Sequence, residues 1–236
     1  MNFNLILIFS LFFSLVVSAQ EKKIWDYPIK PGSQEWASFT TGQQMLEACQ
    51  VPKKVLNTST TKELVDICLN YPMFFDYSAS NDERKGISKM ISDFNGLSEL
   101  SKRKDGTFEL INAYKEYPVF TEIQQESSKD YYTPYKLPFL ELLLADGAFM
   151  NQLDKQKSAE LEKIILEKYV SKLKNFHVYS LYNIKKTFLL GAIVINNHSI
   201  ADKTPRQQYT IKRFIDNYSN ADETLLTGIS KIISEL

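Results

Sequence analysis

The chain has 236 residues, of which 44% are hydrophobic and 13% aromatic, and it carries 28 Lys plus Arg against 28 Asp plus Glu. This length is sufficient for one large domain with an apolar core. The balanced charge gives no net field that would hold a nucleic acid or an anionic membrane. Composition therefore argues against a nucleic-acid-binding protein.

The N-terminus carries a hydrophobic leader. Residues 5–19 read LILIFSLFFSLVVSA and end in small residues suited to signal peptidase cleavage. About 20 apolar residues are needed to cross a membrane, and this segment is shorter. The pattern predicts a signal peptide over 1–19 and an exported protein, periplasmic or extracellular, that begins at Gln20. It also predicts that no transmembrane anchor remains after the signal is removed.

Apolar residues recur at three- and four-residue spacing in almost every later segment, whereas two-residue alternation never persists. This period predicts an all-α protein. Proline and Ser/Thr positions place the helix ends and starts. About nine helices are expected, over 34–49, 60–69, 82–100 with a kink at Asn95-Gly96, 105–114, 138–145, 158–176, 180–197, 205–218 and 221–236.

Short connections between these helices favour antiparallel neighbours. The predicted architecture is a single domain over 20–236, built from consecutive antiparallel αα hairpins as an irregular αα-solenoid or a compact helical array. No repeat of fixed length indicates a regular solenoid. The aromatic segment 118–136 lacks a helical period and is a possible soft boundary.

Two cysteines, Cys49 and Cys68, lie on apolar faces of consecutive predicted helices. In an exported protein this pair suits one disulfide, and closing that loop contributes about 3 kcal/mol in the chain-entropy model. Free thiols that pack as small hydrophobes are the alternative. A nucleophilic cysteine needs a base and a lowered pKa, and no histidine is near in sequence. The sequence leaves the disulfide and the buried thiols open, with the nucleophile least supported.

Signatures of catalysis and metal binding are missing from the sequence. Only two histidines occur, His177 and His198, whereas a zinc site needs three or four convergent ligands. There is no nucleophile elbow and no phosphate-cradling glycine loop. Glu160 lies three positions from lysines on both sides, which indicates surface pairing rather than acid–base chemistry. No metal and no cofactor are predicted, and enzyme activity is not favoured.

The stretch KDYYTPYKLP, residues 129–138, is the clearest candidate for recognition. Tyr131, Tyr132 and Tyr135 in a proline-containing loop would offer amphipathic contact area at low entropic cost. The alternative is that these tyrosines fold back over exposed helix ends. The sequence gives no signal that separates the two.

Residues 35–115 contain a distinctive string: QVP at 50–52, Ser-Thr at 59–60, CLNYP at 68–72 and FNGLSEL at 94–100. The string resembles a group of exported Bacteroidetes proteins of unknown activity. The resemblance implies an exported helical domain, and it brings no activity, cofactor or catalytic residue. The same residues also have a structural interpretation as helix starts and stops.

Two classes of function follow. The first is an exported, non-enzymatic helical protein that binds a protein, a peptide or a glycan, as stacked helices commonly do. The second is a glycosidase-like hydrolase with carboxylates assembled from different helices. An apolar-lined pocket holding two carboxylates of raised pKa would favour the hydrolase, and a shallow groove rimmed by tyrosine would favour the binding protein.

Overall fold

The structure, a computed structural model, describes residues 25–121 and 133–236, so the expected signal peptide over 1–19 lies outside it. The regular structure of these residues is entirely helical, which confirms the all-α prediction. The helices are α1 (Gln34–Ser38), α2 (Gly42–Ala48), α3 (Lys53–Thr58), α4 (Thr61–Leu69), α5 (Glu83–Asp93), α6 (Asn95–Leu100), α7 (Gly106–Glu116), α8 (Thr133–Ala145), α9 (Gly147–Met150), α10 (Lys155–Lys174), α11 (Phe176–Val194), α12 (Pro205–Asp216) and α13 (Glu223–Ile233). Between these helices lie shorter turns: 3-10 turns at Phe74–Ala79, Ile200–Asp202 and Tyr218–Asn220, and a π-helical turn at Ile195–Ser199.

Helix α11 lies at the centre of the C-terminal part of the fold. It packs against α8, α10, α12 and α13, while α8 also contacts α5 and α7. Helices that are distant in sequence therefore share one core, and the arrangement is the compact array rather than the solenoid. The stretch Phe176–Asp202 is the one helical segment of the described chain with the length and composition to cross a membrane, and 72% of its apolar window is buried in the protein.

The predicted first helix over 34–49 is wrong, because two helices occupy it. The hydroxyl of Thr41 accepts a hydrogen bond from the backbone N–H of Gln44 at 3.3 Å. The Gln44 side chain in turn accepts from the Thr41 N–H at 3.2 Å, which completes a capping box. A capping box satisfies the N–H groups that begin a new helix. The chain therefore restarts at Gly42 after the short helix α1 has ended.

Other helix boundaries differ from the expectation for similar local reasons. Of the two capping candidates, Ser59 and Thr60, Thr60 caps α4, in a capping box with Glu63. Asp105 makes no capping bond at the start of α7; its carboxylate accepts instead from the Thr61 hydroxyl at 2.8 Å. Asp154 caps α10, so this helix begins three residues before the predicted 158. The count of thirteen α-helices in the described residues exceeds nine because several predicted helices are divided and short ones join them.

Candidate binding groove

A groove of about 570 Å³ opens between α2, the 3-10 turn Phe74–Ala79 and α5. Its apolar lining comes from all three elements and from the chain between α4 and the turn. Cavities of roughly 300–1,000 Å³ are typical of ligand sites. The apolar lining residues are Leu46, Tyr71, Met73, Tyr77 and Met90.

Aromatic stacking fixes the two tyrosines of the groove. The Tyr71 ring stacks on Phe94 with centroids 4.1 Å apart and an interplanar angle of 10°. The Tyr77 ring stacks on Phe139 of α8 at 5.9 Å and 12°. Both tyrosines are buried, so they line the groove and belong to the core at the same time. The groove is therefore attached to the interior and is not a gap between loops.

Gly86 sets the distance between α5 and the 3-10 turn. A Cβ atom at this position would lie 2.4 Å from the carbonyl oxygen of Tyr77, closer than real Cβ atoms approach a backbone. Only glycine lets the two backbones approach this closely. Since Gly86 and Tyr77 both line the groove, this close approach shapes one of its walls.

Charged side chains of both signs line the rim of the groove. Lys89 and Asp93, one helical turn apart on α5, form an ion pair, and the Lys89 hydrogen bond lowers the pKa of the Asp93 carboxyl. Asp76 has no such partner at the rim, and desolvation raises the pKa of its carboxyl. Lys85 supplies a second exposed cation. The rim therefore holds two lysines and two aspartates and has no net charge.

Both cysteines are free thiols buried in the core. Neither has any exposed surface, and their sulfurs are not within disulfide distance. Burial raises the pKa of Cys49 to about 11 and raises the pKa of Cys68 further. Of the two alternatives that the sequence left open, the structure has the buried thiols and not the Cys49–Cys68 disulfide. A protonated, inaccessible thiol is also unsuited to nucleophilic attack.

Of the three candidate recognition tyrosines, Tyr135 is the one that lies within the described residues. Tyr131 and Tyr132 lie outside the described part of the chain. Tyr135 lies inside helix α8 rather than in a loop, and its half-buried ring packs edge-on against Phe75 at 5.4 Å. Tyr135 does not line the groove.

A buried ion pair joins α8 to α10 at the centre of the fold. Lys172 donates to Glu141 at 2.6 Å and to the Thr187 hydroxyl at 3.0 Å, and both charged side chains are fully buried. The remaining oxygen of Glu141 accepts from Thr187 at 2.8 Å and from the Tyr114 hydroxyl at 3.0 Å. These residues form the Glu141 cluster. It is satisfied internally and is not part of the groove lining.

A second cluster, the Glu83 cluster, joins the start of α5 to α11. Lys186 pairs with Glu83 at 3.0 Å, and the hydroxyls of Tyr182 and Tyr218 also donate to this carboxylate. The Lys186 ammonium lies 3.4 Å from the Tyr182 ring centroid. Burial lowers the pKa of Lys186 to about 8, and the attraction of Glu83 opposes the shift.

Metal binding finds no support in the described residues, where no group of three His, Cys, Asp or Glu side chains is placed to hold an ion. Glu160 pairs with Lys157 at 3.0 Å and with Lys115 at 3.6 Å on the surface. That observation agrees with the surface pairing expected from the sequence. Comparison with protein-family models, curated proteins and solved structures gives no match.

No sequence pattern links the groove residues, because they come from separate segments of the chain that only the fold brings together. The Glu141 cluster, by contrast, left a signal that the sequence analysis missed. Lys168 and Lys172 continue the apolar stripe of Leu161 and Ile165 on α10, and Glu141 is the lone charge in the run LPFLELLLA. A charged residue on an apolar face indicates a buried, paired charge.

Proposed function

We propose that the chain is an exported, non-enzymatic protein whose groove binds an apolar segment of a peptide or protein partner. The observation that carries the proposal is the groove between α2 and α5, with its apolar lining and its mixed-charge rim. Export is supported by the leader over 1–19 and by the resemblance to exported Bacteroidetes proteins. The periplasm and the extracellular medium both suit a binding protein of this kind.

The lining favours a peptide over a glycan. Leu46, Met73 and Met90 offer aliphatic and thioether groups, and methionine adapts to apolar side chains of different shape. Glycan hydroxyls need many polar partners, whereas most of the groove lining is apolar and its charged groups are Lys85, Lys89, Asp76 and Asp93. Those groups are two cations and two anions, which suits a partner segment with polar or mixed-charge flanks rather than a strongly charged one.

The hydrolase alternative would need two carboxylates of raised pKa in an apolar pocket. In the groove the pKa of Asp76 is raised by desolvation, whereas the pKa of Asp93 is lowered by Lys89. Asp93 is engaged in an exposed helical ion pair, which is ordinary surface chemistry. This difference supports the binding function over the hydrolase.

Gly42 offers a way to fill the groove without disturbing the core. It lines the groove at the first position of α2, and a Cβ atom added there would meet nothing within 4 Å. Gly147 is the matched control, since it also begins a helix and its added Cβ would make only an ordinary 3.5 Å contact with Asn151. Gly147 lies outside the groove lining.

The experiment selects a dodecapeptide from a random phage-displayed library on the wild-type protein and measures its affinity by fluorescence anisotropy. We expect Gly42→Trp to weaken the selected apolar peptide at least about tenfold, the effect of losing roughly 1.4 kcal/mol of contact. Gly147→Trp should bind it as the wild type does. Equal affinity in both variants would show that the peptide binds elsewhere, and would contradict the groove as the site.

A parallel measurement separates the alternatives. Xylohexaose, chitohexaose and maltohexaose are titrated into the wild type and Gly42→Trp, and release of reducing sugar is followed. Glycan binding that Gly42→Trp abolishes would overturn the choice of a peptide. Hydrolysis abolished by Asp76→Asn would overturn the non-enzymatic proposal.

A further inference from the structure

Four charged side chains lie at the rim of the groove: Lys85, Lys89, Asp76 and Asp93. Lys89 and Asp93 form an ion pair with each other, so each already has a partner. The Asp76 carboxylate makes no hydrogen bond and no ion pair with any group of the described residues, and desolvation alone accounts for its raised pKa. Because no cation of the described chain offsets that desolvation, Asp76 is the unneutralised anion of the rim.

Lys85 does not act as the partner of Asp76. Lys85 also lines a separate polar cavity, which contains Asp82. The hydrogen bond from Arg84 is the main cause of the lowered pKa of Asp82, and the charge of Lys85 contributes to it. No such contribution of Lys85 reaches the Asp76 carboxyl. The Lys85 ammonium therefore acts on Asp82 rather than on Asp76.

Asp76 is held on a packed turn beside the core. Its backbone N–H donates to the Met73 carbonyl at 3.0 Å, at the start of the 3-10 turn. The next residue, Tyr77, is fixed by the stacking of its ring on Phe139. Burial is the main cause of the raised pKa of the Cys49 thiol, and the charge of Asp76 adds to it, which places the carboxylate near the core. Asp76 is nevertheless exposed, so a ligand can reach it.

A partly desolvated carboxylate without a cation is an unfavourable arrangement that a positively charged ligand group relieves. Tyr71 and Met73 supply apolar surface to the same groove. A lysine or arginine side chain suits both features, because its methylene stem packs on apolar surface while its charged head binds a carboxylate. We propose that the groove recognises a lysine or arginine of its peptide partner, with the cation at Asp76 and apolar residues of the same segment on Leu46 and Met90. This inference rests on the proposed function and names the residue type that the groove selects.

Other positively charged occupants fit less well. A metal ion is disfavoured because, in the part of the chain that the structure describes, no three metal-ligating side chains converge at Asp76. A segment with several basic residues is disfavoured because Lys85 and Lys89 line the same groove and would repel further cations. The expected partner segment therefore carries one basic residue among apolar residues.

The test uses the dodecapeptides selected on the wild-type protein whose binding Gly42→Trp weakens. Each is compared with a copy in which its lysine is replaced by norleucine, or its arginine by citrulline, so that the charge is lost and the length is kept. We expect the neutral copy to bind the wild type at least about tenfold more weakly, because a charge-assisted hydrogen bond is lost. On Asp76→Asn the two peptides should differ by less than about twofold.

Asp202→Asn is the matched control. Asp202 is also an exposed aspartate on a 3-10 turn, Ile200–Asp202, and it does not line the groove. This variant changes the net charge of the protein by the same amount as Asp76→Asn. It should therefore keep the full difference between the charged and the neutral peptide. Circular dichroism should show unchanged helicity in both variants.

The outcomes separate this inference from the proposed function. If Gly42→Trp weakens none of the selected peptides, the groove is not the site and both proposals are wrong. If the groove-dependent peptides carry no basic residue, or if Asp76→Asn keeps the full preference for the charged peptide, the groove remains the site and the inference about Asp76 is overturned. An equal loss of preference in Asp202→Asn would also overturn it, since the preference would then come from the net charge of the protein.

Discussion

The two halves of the described chain bury different chemistry. Between residues 25 and 116 the interior is apolar and aromatic, and its fully buried polar groups are uncharged, among them the thiols of Cys49 and Cys68 and the hydroxyl of Tyr114. Between 133 and 236 the interior also contains Lys172 and Lys186, whose side chains have no exposed surface. All the charged residues that are buried within the described residues lie in this second half.

The contrast shows two ways of fixing helices against one another. Because buried thiols behave as small hydrophobes, the helices of the first half are fixed against one another by close packing of side chains. A buried ammonium is expensive unless it is paired and hydrogen-bonded, so the second half depends on specific partners. In the Glu141 cluster, Lys172 of α10 donates to Glu141 of α8 and to Thr187 of α11, and Tyr114 of α7 and Thr187 donate to Glu141.

Removing Glu141 should give the largest effect. Glu141→Leu leaves Lys172 buried with the Thr187 hydroxyl as its remaining hydrogen-bond partner and the Tyr179 ring 5.3 Å away, and we expect the free energy of unfolding to fall by about 3–5 kcal/mol. The double variant Glu141→Leu with Lys172→Leu removes both charges, and we expect it to recover most of that loss. Urea denaturation followed by circular dichroism measures both.

The surface pair Glu160–Lys157 is the control, and Glu160→Leu should change stability by less than about 1 kcal/mol because exposed pairs contribute little. If Glu141→Leu lowers the free energy of unfolding no more than Glu160→Leu does, the contrast between the two halves is wrong. A double variant as unstable as the single one would show that the cluster contributes through its polar network and not only by neutralising Lys172.

The first half should be sensitive to polarity rather than to charge pairing. Cys68→Ser places a hydroxyl in a fully buried apolar site, and an unpaired hydroxyl there costs about 1–3 kcal/mol. Because both thiols are free, the urea midpoint of the wild type should be the same with and without dithiothreitol. A midpoint that falls on reduction would show that the protein in solution carries the Cys49–Cys68 disulfide after all.

Sequence periodicity was sufficient for the fold class, because the apolar stripes of α5, α10 and α13 reflect one buried face each. It was insufficient where local hydrogen bonds compete with the helix. Thr41 with Gln44 divides the first predicted helix, and nothing in the apolar spacing of that segment shows it. The sequence predicted that this helix, α8, starts at Pro138. The helix instead begins at Thr133 and accommodates Pro138 in its interior.

The sites were predictable to a smaller extent. Burial of the cysteines followed from their apolar neighbours, whereas the choice between thiol and disulfide depends on a distance that sequence does not contain. The groove could not be predicted, since Leu46, Tyr71 and Met90 are far apart in sequence and each has an ordinary place in its own segment. Gly86 becomes significant only when the Tyr77 backbone is opposite it.

The Glu83 cluster predicts a pH dependence of stability. Burial lowers the pKa of Lys186 from 10.5 in the unfolded chain to about 8. Below pH 8 both states are protonated and the cost of burying the charge is fully present. Between pH 8 and 10.5 the unfolded chain holds a proton that the folded protein has lost, so stability rises with pH.

The measurement compares the wild type with Lys186→Met from pH 7.5 to 9.5. Over this range the wild type should gain about 1–2 kcal/mol relative to the variant, at roughly 1.4 kcal/mol for each pH unit above 8. The other buried lysines are present in both proteins and cancel. Above about pH 10 the raised pKa values of Tyr182 and Tyr218 act in the opposite direction. A constant difference between the two proteins would show that Lys186 does not titrate in this window.

Substitutions at helix caps should have the smallest effect on stability, and they test whether the two halves differ in local helix stability. Thr60 in the first half and Thr204 in the second are both exposed residues in capping boxes, with Glu63 and Gln207 as partners. Replacing either by alanine should cost about 1 kcal/mol, because each removes one bond to a helix N–H group. Urea denaturation of the two variants measures this, and costs that differ by more than about 1 kcal/mol would mean that the halves differ in local helix stability. Equal costs would confine the difference between the halves to what each one buries.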